Sequence, residues 1–299
     1  MLKKTIGAMA LAMTMTAGTA TADIWADADT AFADRLNDRE AIAEARTLYK
    51  EILETATGPD ALRAASQLGR LAIYEGEMLL PKSASEERME IFSDCWCRDP
   101  RVSGLIVPEG DCREPGFVDA ISPENLGEEH PAYYYFHGVC LAYWGEQASL
   151  RQKLAFTSWI TWSIDEGQQT DTRFDGGGIH RLTAGVYSNP QADLLGIYQP
   201  EYALEEIYKA LRSEAYPGDP SNGASYYDNW KGLIEVLMEL DRNDEAIEAL
   251  EEALPELQEL IEEDELPAGR GPEAIYNYKS MKKFYEELTG DEWEDDLDL

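Results

Sequence analysis

The sequence predicts an all-α fold built from antiparallel helix pairs, and three observations carry that prediction. Apolar residues recur at three- and four-residue spacing, as in Leu62, Ala65, Leu68, Ala72 and Ile73, which places them on one helix face. No run shows sustained period-two alternation, the pattern of a half-buried strand. One pattern also repeats: Ala203, Ile207 and Ala210 return 43 residues later as Ala246, Leu250 and Ala253.

The elements follow in order. Asn37-Asp38 supplies a cap for a helix from Arg39 to about Thr55. Gly58-Pro59-Asp60 breaks it and opens a second, Ala61 to about Leu79. Ser85 to Cys95 forms a third. Asp99 to Pro131, rich in Pro, Gly and acids, reads as a loop. Ala132 to about Ala148 and Ser149 to about Asp165 form an aromatic pair, with Phe156, Trp159 and Trp162 on one face. A Gly-rich turn then leads into a short helix, Ile179–Tyr187, and a loop around Asn189-Pro190. Helices are expected at Pro200–Glu214, Ser225–Leu240, Asp244–Glu263 and Pro272–Leu288. Residues 23–290 read as one helical-repeat domain and 291–299 as an acidic tail, a solvated end by default.

The repeated alanines let two helices approach closely, and the larger residue between them fills the groove. This is the second-helix half of the tetratricopeptide pattern. Trp230, Leu233 and Leu237 fall where its first helix places large apolar residues, although Ile234 stands where a small residue is usual. Ala184 and Gly185 supply the small pair before Ala203. Leu68-Gly69 with Ala72 is a more degenerate copy.

The chain has 25 Lys plus Arg against 59 Asp plus Glu, a formal charge of −34. A surface this acidic excludes nucleic acid and anionic lipid as partners, because both need clustered cations to replace counterions. Lys3 and Lys4, the apolar run Ile6 to Ala17, and Ala20-Thr21-Ala22 together read as a signal peptide over 1–22, cleaved before Asp23. Without those residues the charge becomes −36. No Cys lies near that point, so a lipid anchor is not indicated and a periplasmic or secreted location is expected. In that compartment Cys95, Cys97, Cys112 and Cys140 are disulfide candidates. Cys95 and Cys97 are too close to bridge without strain, so each is expected to pair outward, one with Cys112 and one with Cys140. The alternative is a metal site of Cys95, Cys97, Cys112 and either His137 or Cys140, although Cys-x-Cys fits structural zinc spacing poorly.

The segment with the clearest chemical potential is Asp175-Gly176-Gly177-Gly178-Ile179-His180-Arg181. Glycines permit positive φ and close backbone approach. Free N–H groups at a helix start attract anions, and a guanidinium binds a carboxylate in two-point fashion. Gly176, Gly177, Gly178, His180 and Arg181 are therefore the candidate ligand-binding residues, with a small organic acid as ligand. The competing reading is a hinge in which Arg181 pairs with a structural acid. It is no phosphate loop, lacking a preceding strand and a Gly-Lys-Ser/Thr ending. Three His and no Ser or Cys nucleophile signature give no catalytic triad, so the reading is of a binding protein, not an enzyme, with no cofactor.

The stretch from Asp175 to Tyr187, then Asn189-Pro190, then Pro200 to Leu211 resembles the T component of tripartite ATP-independent periplasmic (TRAP) transporters. The resemblance spans roughly 170–263 and implies an exported helical-repeat protein that associates with the periplasmic solute-binding subunit. It also implies homo-oligomers, trimers among them, with a pore or cleft through the helical core. Two other functions stay open. One is a general envelope scaffold for protein segments. The other is a metal-dependent hydrolase using His180, Asp175 and nearby acids.

Overall fold

The computed structural model describes residues 16–36, 38–56, 58–93, 130–217, 221–263, 265–266, 270–295 and 297, with side chains from residue 23 onward. Every regular element among them is a helix. In chain order these are α1 (Thr16–Ala33), α2 (Arg39–Thr55), α3 (Gly58–Ile73), α4 (Ser85–Ser93), α5 (His130–Gln147) and α6 (Leu150–Gly167). They continue as α7 (Phe174–Ser188), α8 (Pro200–Leu211), α9 (Tyr227–Glu239), α10 (Asn243–Glu262) and α11 (Gly271–Thr289). None of the described helices is long and apolar enough to cross a membrane.

Local chemistry explains the boundaries. Asp38 accepts from Glu40 N at 2.8 Å and Ala41 N at 3.2 Å, satisfying two N–H groups that α2 leaves without a partner. Ser149 and Gln152 form a capping box that starts α6 immediately after α5 ends. Gly290, at φ +78°, closes α11 in the left-handed conformation that glycine adopts without cost.

Three elements depart from the sequence expectation. α1 has no counterpart among the expected helices, although Ile24, Ala28, Ala31 and Phe32 lie one or two helical turns apart and the last three are buried. It begins before the expected cleavage point, and its periodicity is masked by the adjoining targeting-like segment. The second expected helix divides. α3 ends at Ile73 and a π-helical turn, Tyr74–Leu79, carries on. Gly76 sits inside that turn against Phe92, where a Cβ would lie 2.6 Å from the ring. The Asn189-Pro190 loop is a 3-10 helix, Pro190–Leu195. Cys95, Cys97 and Cys112 lie outside the described residues. Cys140 is fully buried in α5 and is not a free thiol, but no disulfide joins two described residues.

Successive helices pack as neighbours, α1 on α2, α2 on α3, α5 on α6, and α7 through α11 one upon the next. α3 and α4 also pack on α5, which joins the N-terminal group to the rest. The C-terminal core contains both copies of the repeated pattern. Ala203, Ile207, Ala210, Ala246, Leu250 and Ala253 are all completely buried. Ile234 fills the position where a small residue is usual and is also completely buried, so this core accommodates a larger side chain there. Leu68-Gly69 serves a different interface: a Cβ on Gly69 would lie 2.9 Å from the Phe136 ring of α5.

Two glycines of α7 separate packing from open space. Gly177 has φ +82°, and a Cβ there would lie 2.7 Å from Ala210 Cα. Gly185 is helical and exposed, and a Cβ there would meet nothing within 4 Å. Gly177→Ala should therefore cost at least about 2 kcal/mol, from backbone strain and a clash that side-chain motion cannot relieve. Gly185→Ala should leave stability unchanged or raise it by about 0.5–1 kcal/mol, as Ala does in place of a mid-helix glycine. Urea titrations of both variants check the contrast, and equal effects would contradict it.

Candidate functional site

The start of α7 is not a regular helix. Asp175, Gly176 and Gly177 have φ of 53°, 59° and 82°, so three consecutive residues are left-handed. Glycine adopts that conformation freely and Asp is among the few side chains that tolerate it. The turn drops Asp175 into the interior, where its side chain is 5% exposed.

Three arginines converge on that carboxylate. Arg70 of α3 donates to Oδ1 at 2.5 Å, and Arg270, just before α11, donates to the same oxygen at 2.6 Å. Arg181, about two turns further along α7, donates to Oδ2 at 2.6 Å and to the Asp175 carbonyl at 3.2 Å. Burial alone would raise the Asp175 pKa. Arg70, Arg270 and Arg181 outweigh it and hold the carboxyl well below the usual range.

The arginines are themselves positioned. Arg181 also donates to Tyr135 Oη and to Asn229 Oδ1, each at 2.7 Å. Asn229 is completely buried and donates to the carbonyls of Gly176 at 2.8 Å and Gly223 at 2.7 Å, which fixes the left-handed turn. Arg270 lies 3.8 Å over the Tyr226 ring and donates to its hydroxyl at 2.8 Å. Burial, the largest influence on Tyr135, pushes its phenol up to about 12, so it stays neutral beside Arg181.

A cavity of about 430 Å³ opens beside this cluster. That is within the ~300–1,000 Å³ range of small-molecule sites. Arg70, Asp175, Arg181 and Arg270 form one end, and Tyr143, Leu182, Val186 and Ile197 are among its apolar walls. The π-helical turn contributes Glu77 and Met78, and Gly185 lies along the wall. Six basic and seven acidic residues line the cavity, in a chain where acids outnumber bases 59 to 25. Cations are thus concentrated here.

The sequence candidates separate in the structure. Arg181 lines the cavity, with Asp175 beside it. Gly176 and Gly177 are buried, the first against Tyr226, where a Cβ would lie 2.2 Å from the ring, and the second against Ala210. Gly178 packs on Tyr135. These glycines bring the backbone close to its neighbours. His180 has a different partner, Glu206 Oε2 at 2.6 Å, while Lys209 donates to the other oxygen of that carboxylate, Oε1, at 2.5 Å. His137, named for a metal site, is buried on Ser163 Oγ at 2.6 Å, and burial pushes its pKa down to about 4. Among the described residues no group of three or more His, Cys, Asp or Glu is placed to hold a metal ion.

Sequence reasoning misses Arg70 and Arg270. They stand 111 and 89 residues from Arg181 in a chain with only 25 basic residues, and that scarcity is the one signal pointing to them. Comparison with protein-family models finds none that matches the chain. A search of curated proteins likewise returns no match.

Asp175→Asn leaves three largely buried arginines facing a neutral amide and should cost about 3–5 kcal/mol at neutral pH. Because the folded pKa is depressed, the contribution of Asp175 is complete above the unfolded value of about 3.9 and drains as pH falls below it. The gap between wild type and Asp175→Asn should shrink by up to about 1.4 kcal/mol per pH unit below that point. Urea melts at pH 7 and pH 3 that show the same gap would rule out the ion cluster as its source.

Proposed function

We propose that this chain is an exported binding protein of tetratricopeptide-like helix pairs. It holds a small organic acid in the cavity beside Asp175 and docks the solute-binding subunit of a TRAP-type transport system. One observation carries the ligand part of this reading. Arg70 and Arg270 each spend one terminal nitrogen on Asp175, and among the described residues their remaining N–H groups have no acceptor. Both side chains line the cavity. Guanidinium groups with donors to spare, in a partly enclosed space, suit a carboxylate. Arg181 is committed to the protein by its four bonds and serves to position Asp175.

The docking part rests on the resemblance of residues 170–263 and on an apolar patch. Leu150, Leu154 and Leu194 are 49%, 56% and 68% exposed on α6 and the adjoining 3-10 helix. These two elements pack together, tied by the bond between Lys153 and Gln191. Large exposed leucines on neighbouring elements are a common mark of a protein-binding face. The scaffold alternative shares this feature but gives no role to the arginines.

Isothermal titration of the purified protein with a panel of small carboxylates is the direct test. At least one acid should bind, and Arg70→Gln or Arg270→Gln singly, each of which leaves two arginines on Asp175, should weaken it at least tenfold in protein that retains its helical circular dichroism. Absence of binding by every acid up to millimolar concentration would remove the ligand assignment. For the partner, Leu154→Asp with Leu194→Asp should reduce co-elution with a purified solute-binding protein, and unchanged co-elution would remove the docking face.

A further inference from the structure

The cavity is chemically uneven, and that unevenness narrows the ligand beyond "organic acid". Each carboxylate facing it already has a donor of the protein. Glu77 meets Arg88 at 2.7 Å, and Glu146 lies 3.6 Å from the same guanidinium. Asp228 accepts from Asn277 at 3.0 Å, Glu235 from Lys231 at 2.7 Å, and Glu239 from Tyr198 at 2.6 Å. Glu273 is bound by Arg35, and Asp175 by its three arginines. A cationic group entering the cavity therefore competes with an internal cation at Glu77, Glu146, Asp175, Glu235 and Glu273, while Asp228 and Glu239 have neutral donors. An anionic group finds the spare N–H groups of Arg70 and Arg270 at one end.

Away from that end apolar wall is interleaved with polar side chains, among them Lys82, Lys153 and Lys231. Val139, Tyr143, Leu182, Val186 and Ile197 form apolar wall. Between them stands Gly185, exposed in the middle of a helix, where a Cβ would meet nothing within 4 Å. Its neighbour Ala184 is buried in the C-terminal core, so the small pair read from the sequence is divided between two tasks. Ala184 permits helix packing, and Gly185 leaves room in the cavity. A mid-helix glycine costs about 0.5–1 kcal/mol relative to alanine, and here no close packing accounts for it.

We propose that the cavity takes a monocarboxylate with an apolar body. Its acid group is held by Arg70 and Arg270, and its chain or ring lies along Gly185 between α5 and α7. Gly185 sets the depth available to that body. This inference rests on the organic-acid reading above. It disfavours dicarboxylates and polyhydroxy acids wherever their second polar group falls against Val139, Leu182, Val186 and Ile197, away from Lys82, Lys153 and Lys231.

The test is a titration series on the full chain with acetate, butanoate, hexanoate, succinate and the neutral analogue 1-hexanol. Affinity should rise about fourfold for each methylene that enters, the equivalent of about 0.8 kcal/mol. Hexanoate should bind at least tenfold tighter than succinate and than 1-hexanol. Gly185→Leu should lower hexanoate affinity at least tenfold and leave acetate within twofold, and Gly185→Ala should fall between. The wild-type series needs no variant, so a misfolded Gly185→Leu does not spoil the test. Succinate binding as tightly as hexanoate, or 1-hexanol binding as tightly as hexanoate, overturns the proposal while the organic-acid reading or the cavity itself survives. Hexanoate affinity unaffected in well-folded Gly185→Leu overturns the role of Gly185. Absence of binding by every acid overturns both readings together.

Discussion

The ion cluster at Asp175 is the interaction on which this architecture depends. One carboxylate receives donors from α3, from α7 itself and from the residue preceding α11. It thereby ties together segments more than a hundred residues apart along the chain. Apolar packing supplies part of the same link, through α3 and α4 on α5 and through α7, which contributes to two clusters. The ion cluster adds a polar tie between the N-terminal, central and C-terminal clusters of buried side chains. Burying one acid against three arginines is costly unless every partner is placed well. The placement is supplied by Asn229, Tyr135 and Tyr226, which hold the arginines and the left-handed turn.

The same cluster explains why a cavity can exist there. Arginines directed at one buried carboxylate cannot collapse onto the apolar walls of α5 and α7. Their long side chains hold the space open and leave part of each guanidinium facing it. Arg70 and Arg270 thus face both Asp175 and the cavity, whereas both terminal nitrogens of Arg181 are bound to the protein. The π-helical turn at Tyr74–Leu79 belongs to this arrangement, because it carries Glu77 and Met78 into the cavity lining while Gly76 lets Phe92 pack close behind.

Most of the fold is legible in the sequence because helical periodicity and caps are local signals. Asp38 and Ser149 mark starts that the structure keeps, and Ala203, Ile207, Ala210 and their later copies are buried as their spacing implies. The cavity is legible only in part. Arg181 stands out beside the glycines, but nothing local connects it to Arg70 or Arg270. Their convergence is a tertiary fact. The glycines also mislead in a specific way. Residues that permit close approach suggest approach to a ligand, whereas Gly176 and Gly177 approach Tyr226 and Ala210. The π-turn escapes notice because a one-residue expansion leaves the apolar spacing almost intact.

The arginines drawn inside have an effect outside. Arg35 and Arg88 are fully enclosed, and Arg70, Arg181 and Arg270 are largely buried. Withdrawing five of 25 cations from the exterior leaves that exterior poorer in positive charge than the composition suggests. An approaching anion therefore crosses a repulsive field before it reaches the cation-rich end of the cavity. The field reaches about 10 Å at 0.1 M ionic strength and shrinks as salt rises. Toward any anion the exterior electrostatics work as a barrier, and salt lowers it. The environment, and not the cavity alone, sets how readily an anion approaches it.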